Sequence, residues 1–152
     1  KFESKVFPKD IVDITEYNDD IPVWWKASAT ADENYTGEIL VGWVAADKAR
    51  KLYALSDEEI VNLATEDLRK KLNNSNIKPT KTHIQIWKNE PFTLGAYSYT
   101  PAQANAEIVQ VLAKPIDDKL FWAGEATDPK NYATVQGAYN SGKRVADEVY
   151  KG

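Results

Sequence analysis

The residues best placed to do chemistry lie near the end of the chain. Gly124-Glu125-Ala126-Thr127 is followed by a short loop, by Ala133-Thr134-Val135-Gln136-Gly137-Ala138, and then by Ser141-Gly142. This order reads as a strand end feeding a loop and then a helix N-terminus, which presents unpaired backbone N–H groups and a partial positive charge. Gly124 would let the backbone pass close to a ligand, and Glu125 offers acceptors for ribose-type hydroxyls. Gly137, Ala138, Ser141 and Gly142 place small residues along the helix, where a planar ring or another backbone could approach. The same small residues also serve ordinary tight packing, so spacing alone leaves both readings open.

The elements that must position this unit can be read outward from it. Leu120-Phe121-Trp122-Ala123 reads as a buried strand entering Gly124. The stretch from about Val135 to Tyr150 reads as a helix with Val135, Ala138, Val145 and Val149 toward the core. Ile108–Leu112 is short and apolar, either helix or strand, and is punctuated by Pro115 and Asp117-Asp118. Earlier, Ile11–Thr15 and Ile21–Trp25 read as strands around the turn-prone Asn18-Asp19-Asp20. Gly37–Ala45 reads as a strand buried on both faces, Ala46–Tyr53 as a short helix, and Thr82–Trp87 as an alternating strand. Ser56-Asp57-Glu58-Glu59 matches a capping box for a helix from Asp57 to about Leu72.

Composition bounds the function. At 152 residues, with 43% hydrophobic and 28% charged residues, the chain has the balance of a folded soluble domain. A net charge of −4 argues against nucleic acid as a partner. The absence of cysteine rules out disulfides, thiolate metal sites and a cysteine nucleophile, and leaves the compartment open. No apolar run approaches the roughly 20 residues of a membrane span. Methionine is also absent, and the chain begins mid-pattern at Lys1-Phe2-Glu3, as expected of a piece of a longer polypeptide.

The literal residues FWAGEATDPKNYATVQGAYNSGKRVADEV resemble the closing motif of the flavin-containing amine oxidases, the family of monoamine oxidases, polyamine oxidases and lysine-specific histone demethylases. The resemblance implies an α/β (α+β) fold, with a mixed sheet, helices, and a long C-terminal helix. It implies that residues 1–94 are part of a substrate-binding lobe and residues 95–152 the C-terminal part of an FAD-binding lobe. By motif, Gly124 and Glu125 would face the sugar-phosphate part of FAD. Thr134 and Val135 would sit at the flavin edge, with the Val135 N–H as donor to the flavin carbonyl, where a helix N-terminus would stabilise the anionic reduced ring. Trp87–Pro91 through Gly95–Ser98 resembles the segment that sets an aromatic residue opposite the flavin, which is Tyr97 here. Val41–Leu52 resembles the end of the substrate lobe.

Departures from the family sharpen the expectation. Where monoamine oxidases carry the cysteine that bonds to FAD, this chain has Ala96, so FAD would be held non-covalently from this side. Where they complete an aromatic sandwich with a second tyrosine, it has Thr134, which disfavours small arylalkylamines. No GxGxxG is present, and the family's active-site lysine has no counterpart here, so no catalytic residue is assigned. The expected activity of the parent is oxidation of an amine by hydride transfer from its α-carbon to flavin N5, with reoxidation by O2. Alone, the chain would bind FAD weakly or not at all and lack activity; its partners would be an amine and the missing N-terminal half, or a second copy of itself. Two alternatives are a related flavoprotein acting on a carotenoid, protoporphyrinogen or amino acid, and a non-catalytic binding module using Trp24, Trp25 and Tyr35 as an exposed surface. His83 reads as packed or half-exposed rather than as a ligand.

Overall fold

The computed structural model describes residues 1–27, 35–104 and 107–151. They form an α+β structure in two compact units, Lys1–Ile86 and Trp87–Gly152.

The first unit is built on a three-stranded antiparallel sheet of β1 (Asp13–Thr15), β2 (Val23–Lys26) and β3 (Leu40–Trp43), in that order. Of the expected mixed sheet, the described residues supply these antiparallel pairings. Ile14 faces Trp24, and Trp24 faces Gly42. The packing there is tight: a Cβ on Gly42 would stand 3.0 Å from Ile21 Cγ2 and from the Trp24 ring, so those side chains would have to shift to admit one. Two short helices of sequence follow, α1 (Ala46–Leu52) and α2 (Asp57–Lys71). The core gathers Phe2, Phe7, Ile21, Trp24, Leu68 and Ile77.

Helix α2 forms as its sequence dictates. Ser56 Oγ accepts from the Glu59 N–H, and the Glu59 carboxylate accepts from the Ser56 N–H at 2.7 Å, so the capping box closes in both directions. At the other end Asn73 takes φ 46°. Its N–H bonds Lys70 O at 3.1 Å and the Asn74 N–H bonds Arg69 O at 3.0 Å, the paired closure of a Schellman motif. The inner face of α2 carries Asp67, whose Oδ2 accepts from Trp24 Nε1 at 2.8 Å. Lys71, one turn on, bonds Asp67 and Asp19. On the opposite edge, buried Glu38 accepts from the N–H groups of Val6 and Phe7, both at 2.8 Å.

Several sequence expectations are corrected here. Gly37–Ala45 is not a strand buried on both faces: β3 spans only Leu40–Trp43 and occupies an outer position in the sheet, with Gly42 and Trp43 exposed. Thr82–Ile86 is irregular and Trp87 opens a 3₁₀ turn; alternation suited it to a ladder, but no described strand lies beside it. His83 on this run is exposed. Trp24 is core and Trp25 half-buried, which removes the centre of the proposed aromatic surface.

The second unit holds α3 (Glu107–Ala113) and α4 (Val135–Lys151), joined through a 3₁₀ turn at Glu125–Thr127. The ambiguous Ile108–Leu112 is therefore helical. Leu120–Ala123 is not a buried strand: Leu120 makes a single bridge to Ile116 and Trp122 is exposed. The predicted inner face of α4 is also corrected: of Val135, Ala138, Val145 and Val149, only Val145 is half-buried and the rest are exposed. Val135 and Val149 are exposed, while Gly137 and Ser141 are buried. The side that packs on the preceding loop is small and polar, and the apolar side of the helix faces outward within this unit.

Candidate functional site

Gly124 is the pivot of the second unit. It adopts φ 140°, a conformation that glycine reaches at little cost and side-chain-bearing residues do not. Both of its peptide groups are clamped. Its N–H donates to Ser141 Oγ at 2.9 Å, and its carbonyl accepts from the Thr127 N–H at 3.0 Å and the Thr127 hydroxyl at 2.9 Å. Ser141, 2% exposed, passes its own proton to Ala138 O at 2.8 Å. The side of Gly124 where a Cβ would stand meets nothing within 4 Å, so the clamp holds an open backbone face.

Glu125 follows. One carboxylate oxygen accepts from the Ser98 N–H at 2.8 Å; the other accepts from Ser98 Oγ at 2.7 Å and the Ala133 N–H at 2.6 Å. Burial works to raise its pKa, but the bonds from Ser98 and Ala133 outweigh it and hold the group below the usual 4.5.

The loop then turns into α4. Asp128 Oδ1 accepts from the N–H groups of Asn131 and Lys130, at 3.0 and 2.8 Å, and those bonds lower its pKa. Ala133 takes φ 62°, a left-handed conformation that costs a residue with a Cβ on the order of 1 kcal/mol. Thr134 caps the helix: its Oγ1 accepts from the Gly137 N–H at 3.0 Å and donates to Asn131 O at 2.6 Å, while its carbonyl accepts from the Ala138 N–H at 3.1 Å. Gly137 packs so closely that a Cβ would stand 2.1 Å from Asn131 O. Val135, the first helical residue, is 84% exposed. The ladder of an α-helix gives the N–H groups of its first turn no partner, and here the cap serves Gly137.

The structure brings the five sequence-predicted residues into one connected region. Gly124 and Glu125 are consecutive, Thr134 and Val135 follow Ala133, which Glu125 holds, and Tyr97 precedes Ser98, which Glu125 also holds. Tyr97 is 57% exposed. Ser98, Thr127, Ser141 and Arg144 hold this arrangement; the sequence marks Ser141 only as a small helix residue and gives the other three no role of their own. Ser98, Thr127 and Ser141 act through their hydroxyls. Arg144 donates to Glu148 at 2.8 Å, to Trp122 O at 2.7 Å, to Thr127 Oγ1 at 3.2 Å and to Ala113 O at 3.4 Å, tying α4 to α3 and to the run before Gly124. Their signal was present: Gly137, Ser141 and Arg144 share one side of a helix, and small or polar residues there are what a tightly apposed loop rich in free backbone groups requires.

The donor set suits a planar, carbonyl-bearing or anionic group. It offers first-turn N–H groups, an open glycine face and small residues, with an exposed aromatic ring on the adjoining segment. Among the described residues no group of three or more His, Asp or Glu is placed to hold a metal ion, and no helix is long and apolar enough to cross a membrane. Two open depressions, about 360 Å³ beside Asp57 and His83 and about 210 Å³ beside Asp128 and Arg144, include none of the five predicted residues.

Several known proteins are similar to this chain. A histone demethylase-like protein A of Aspergillus fumigatus is 38% identical over 112 residues, covering 73% of this chain and 10% of that protein. Polyamine oxidase 4 of Oryza sativa subsp. japonica is 35% identical over 117 residues, 76% of this chain and 24% of that protein. The human peroxisomal N(1)-acetyl-spermine/spermidine oxidase is 31% identical over 119 residues, 73% of this chain and 23% of that protein. The chain thus spans a quarter or less of these relatives. A solved structure of a putrescine oxidase redesigned in its cofactor binding shares the fold, with a TM-score of 0.72 at 21% identity, covering 88% of this chain and 29% of that one. The family described as flavin containing amine oxidoreductase matches residues 1–150. With nearly its whole length matched, this chain belongs to the flavin-containing amine oxidoreductase family.

Proposed function

We propose that this chain forms the flavin-facing closing wall and part of the substrate wall of an FAD-dependent amine oxidoreductase. The observation that carries the reading is the open backbone face at Gly124 beside the exposed start of α4 at Val135. FAD, when bound, supplies the hydride acceptor for oxidation of the carbon next to an amine; the imine product hydrolyses and O2 takes up the electrons. The residues of this chain bind and orient. Gly124 lets its backbone lie against the sugar-phosphate portion, and Glu125 offers carboxylate oxygens to its hydroxyls. Thr134 fixes the helix start so that the Val135 N–H donates to the carbonyl edge of the ring, where the partial positive end of α4 favours negative charge.

Tyr97 supplies an aromatic wall for the substrate, with Thr134 opposite in place of a second ring. That one-sided wall favours flexible alkyl polyamines or a lysine side chain over small arylalkylamines, in keeping with the names of the polyamine oxidase and histone demethylase relatives. Ala96 carries no thiol, so FAD is held non-covalently from this side. In this reading residues 1–94 contribute to the substrate lobe and residues 95–152 to the cofactor lobe. The pyrophosphate-binding GxGxxG half, with the remaining substrate wall, comes from elsewhere in the parent protein.

Titrating FAD into the purified chain and following flavin fluorescence tests the division of labour. Weak binding is expected, with a dissociation constant on the order of 1 mM. Tight, stoichiometric binding would overturn it.

A further inference from the structure

We infer that Glu125 is a positioning residue that fastens the Tyr97 segment to the start of α4, so that the aromatic wall and the cofactor-facing helix terminus are held as one piece. The inference rests on the roles just proposed for Tyr97 and Val135, and it assigns to Glu125 a task beyond touching the cofactor.

Three features carry it. The first is connectivity: a single carboxylate accepts from Ser98, 27 residues before it, and from Ala133, 8 residues after it. Ser98 adjoins Tyr97, and Ala133 is two residues before Val135. The second is strength. An ionised carboxylate accepting from N–H and O–H donors forms bonds roughly twice as strong as neutral ones, and all three are between 2.6 and 2.8 Å. The third is need. Ala133 sits in the left-handed region at φ 62°, immediately before the Thr134 cap, and the bond from its N–H to Glu125 Oε2 opposes its relaxation. Release of that residue would change the direction in which α4 starts, and with it the aim of the Val135 N–H. Ser98 is held twice, through backbone and hydroxyl, which fixes both its position and its rotation and leaves little freedom to the residue before it.

The latch can be tested on the whole chain without cofactor, by following amide signals in an ¹⁵N-labelled sample from pH 7 to pH 3. Ser98 and Ala133 should titrate together, with one midpoint below the ordinary glutamate range. Lys130 and Asn131, which donate to Asp128, should follow the separate midpoint of that aspartate. Ser98→Ala removes one donor from Glu125 and should raise the midpoint read at Ala133, although the change is 35 positions away in the chain. Glu125→Gln should abolish both titrations, speed hydrogen exchange at Ser98 and Ala133 by about tenfold, the equivalent of one weakened hydrogen bond, and shift the amide signals of Tyr97 and Val135. Different midpoints at Ser98 and Ala133, an Ala133 midpoint unmoved by Ser98→Ala, or unchanged exchange at Ser98 and Ala133 and unmoved Tyr97 and Val135 signals in Glu125→Gln would each overturn the latch. If Ser98 and Ala133 titrate as one while FAD leaves Val135 undisturbed, the latch stands and the cofactor reading falls. The opposite pair of results sinks the latch alone.

Discussion

Ser141 Oγ lies 2.9 Å from the Gly124 nitrogen, joining the buried face of the last helix to the turn 17 residues before it. Because Ser141 is 2% exposed, no water replaces it when it is removed. Ser141→Ala should cost about 1–3 kcal/mol, the penalty of an unsatisfied buried N–H, read as a lower midpoint in urea or thermal unfolding. The Gly124 amide should exchange faster than in the parent sequence. Stability within about 0.5 kcal/mol of the wild type would mean the clamp is not needed.

Two helical glycines should behave oppositely. Gly137→Ala places a methyl group 2.1 Å from Asn131 O and should destabilise by about 1–3 kcal/mol through forced backbone movement. Gly142→Ala meets nothing within 4 Å and should stabilise by about 0.5–1 kcal/mol through helix propensity. Chemical denaturation of both variants gives the comparison, and equal effects would contradict the packing described.

Acid should loosen the candidate site. The folded-state pKa of Glu125 is depressed, despite burial, by its bonds from Ser98 and Ala133. Its contribution to stability is therefore complete above the unfolded value near 4.5 and is lost as pH falls through the lower folded value. Glu59, depressed by its bonds from Ser56, adds to the same acid limb from the first unit. Unfolding measured between pH 7 and pH 3 should show the decline, and Glu125→Gln should flatten it.

Lys71 should matter to the first unit. Its side chain is 2% exposed and faces Asp67, Asp19 and Glu16. Desolvation lowers its pKa, but hydrogen bonds to Asp19 and Asp67 prevail and raise it above 10.5. A raised lysine contributes fully below its unfolded pKa and loses that contribution as pH climbs through the folded one, so the effect is confined to strongly alkaline solution. Lys71→Met should cost about 3 kcal/mol by leaving Asp67 buried beside an apolar group. The emission of Trp24, whose indole N–H bonds Asp67, should shift with it.

Local features were legible in the sequence; those that depend on distant partners were less so. Ser56 and Glu59 cap α2 because all the participants lie within four residues of one another. The helix after Thr134 was readable for the same reason, and so was the grouping of Gly124, Glu125, Thr134 and Val135, which the literal motif carries. Thr82–Trp87 alternates like a strand, yet a strand is defined by its neighbour, and no described strand pairs with it. The buried side of α4 is not legible in the sequence, because hydrophobicity marks Val135 and Val149 as surfaces that favour burial but does not say what would cover them. The bonds made by Ser98, Thr127, Ser141 and Arg144 are not legible in the sequence, because polar residues look like solvent-facing or small packing ones until the backbone groups they satisfy are known. Glu125 lies in one region with Thr134 and Val135, but its three internal bonds cannot be inferred from spacing.

The central proposal is that Gly124 faces the sugar-phosphate part of FAD, and Thr134 and Val135 its flavin ring. The most direct measurement is a titration of the ¹⁵N-labelled chain with FAD to millimolar concentration, followed amide by amide. The account predicts weak, progressive shifts concentrated at Gly124, Thr134 and Val135, smaller when riboflavin-free ADP is used for the Thr134 and Val135 signals. Shifts absent from those three residues, or concentrated elsewhere in the chain, would contradict it.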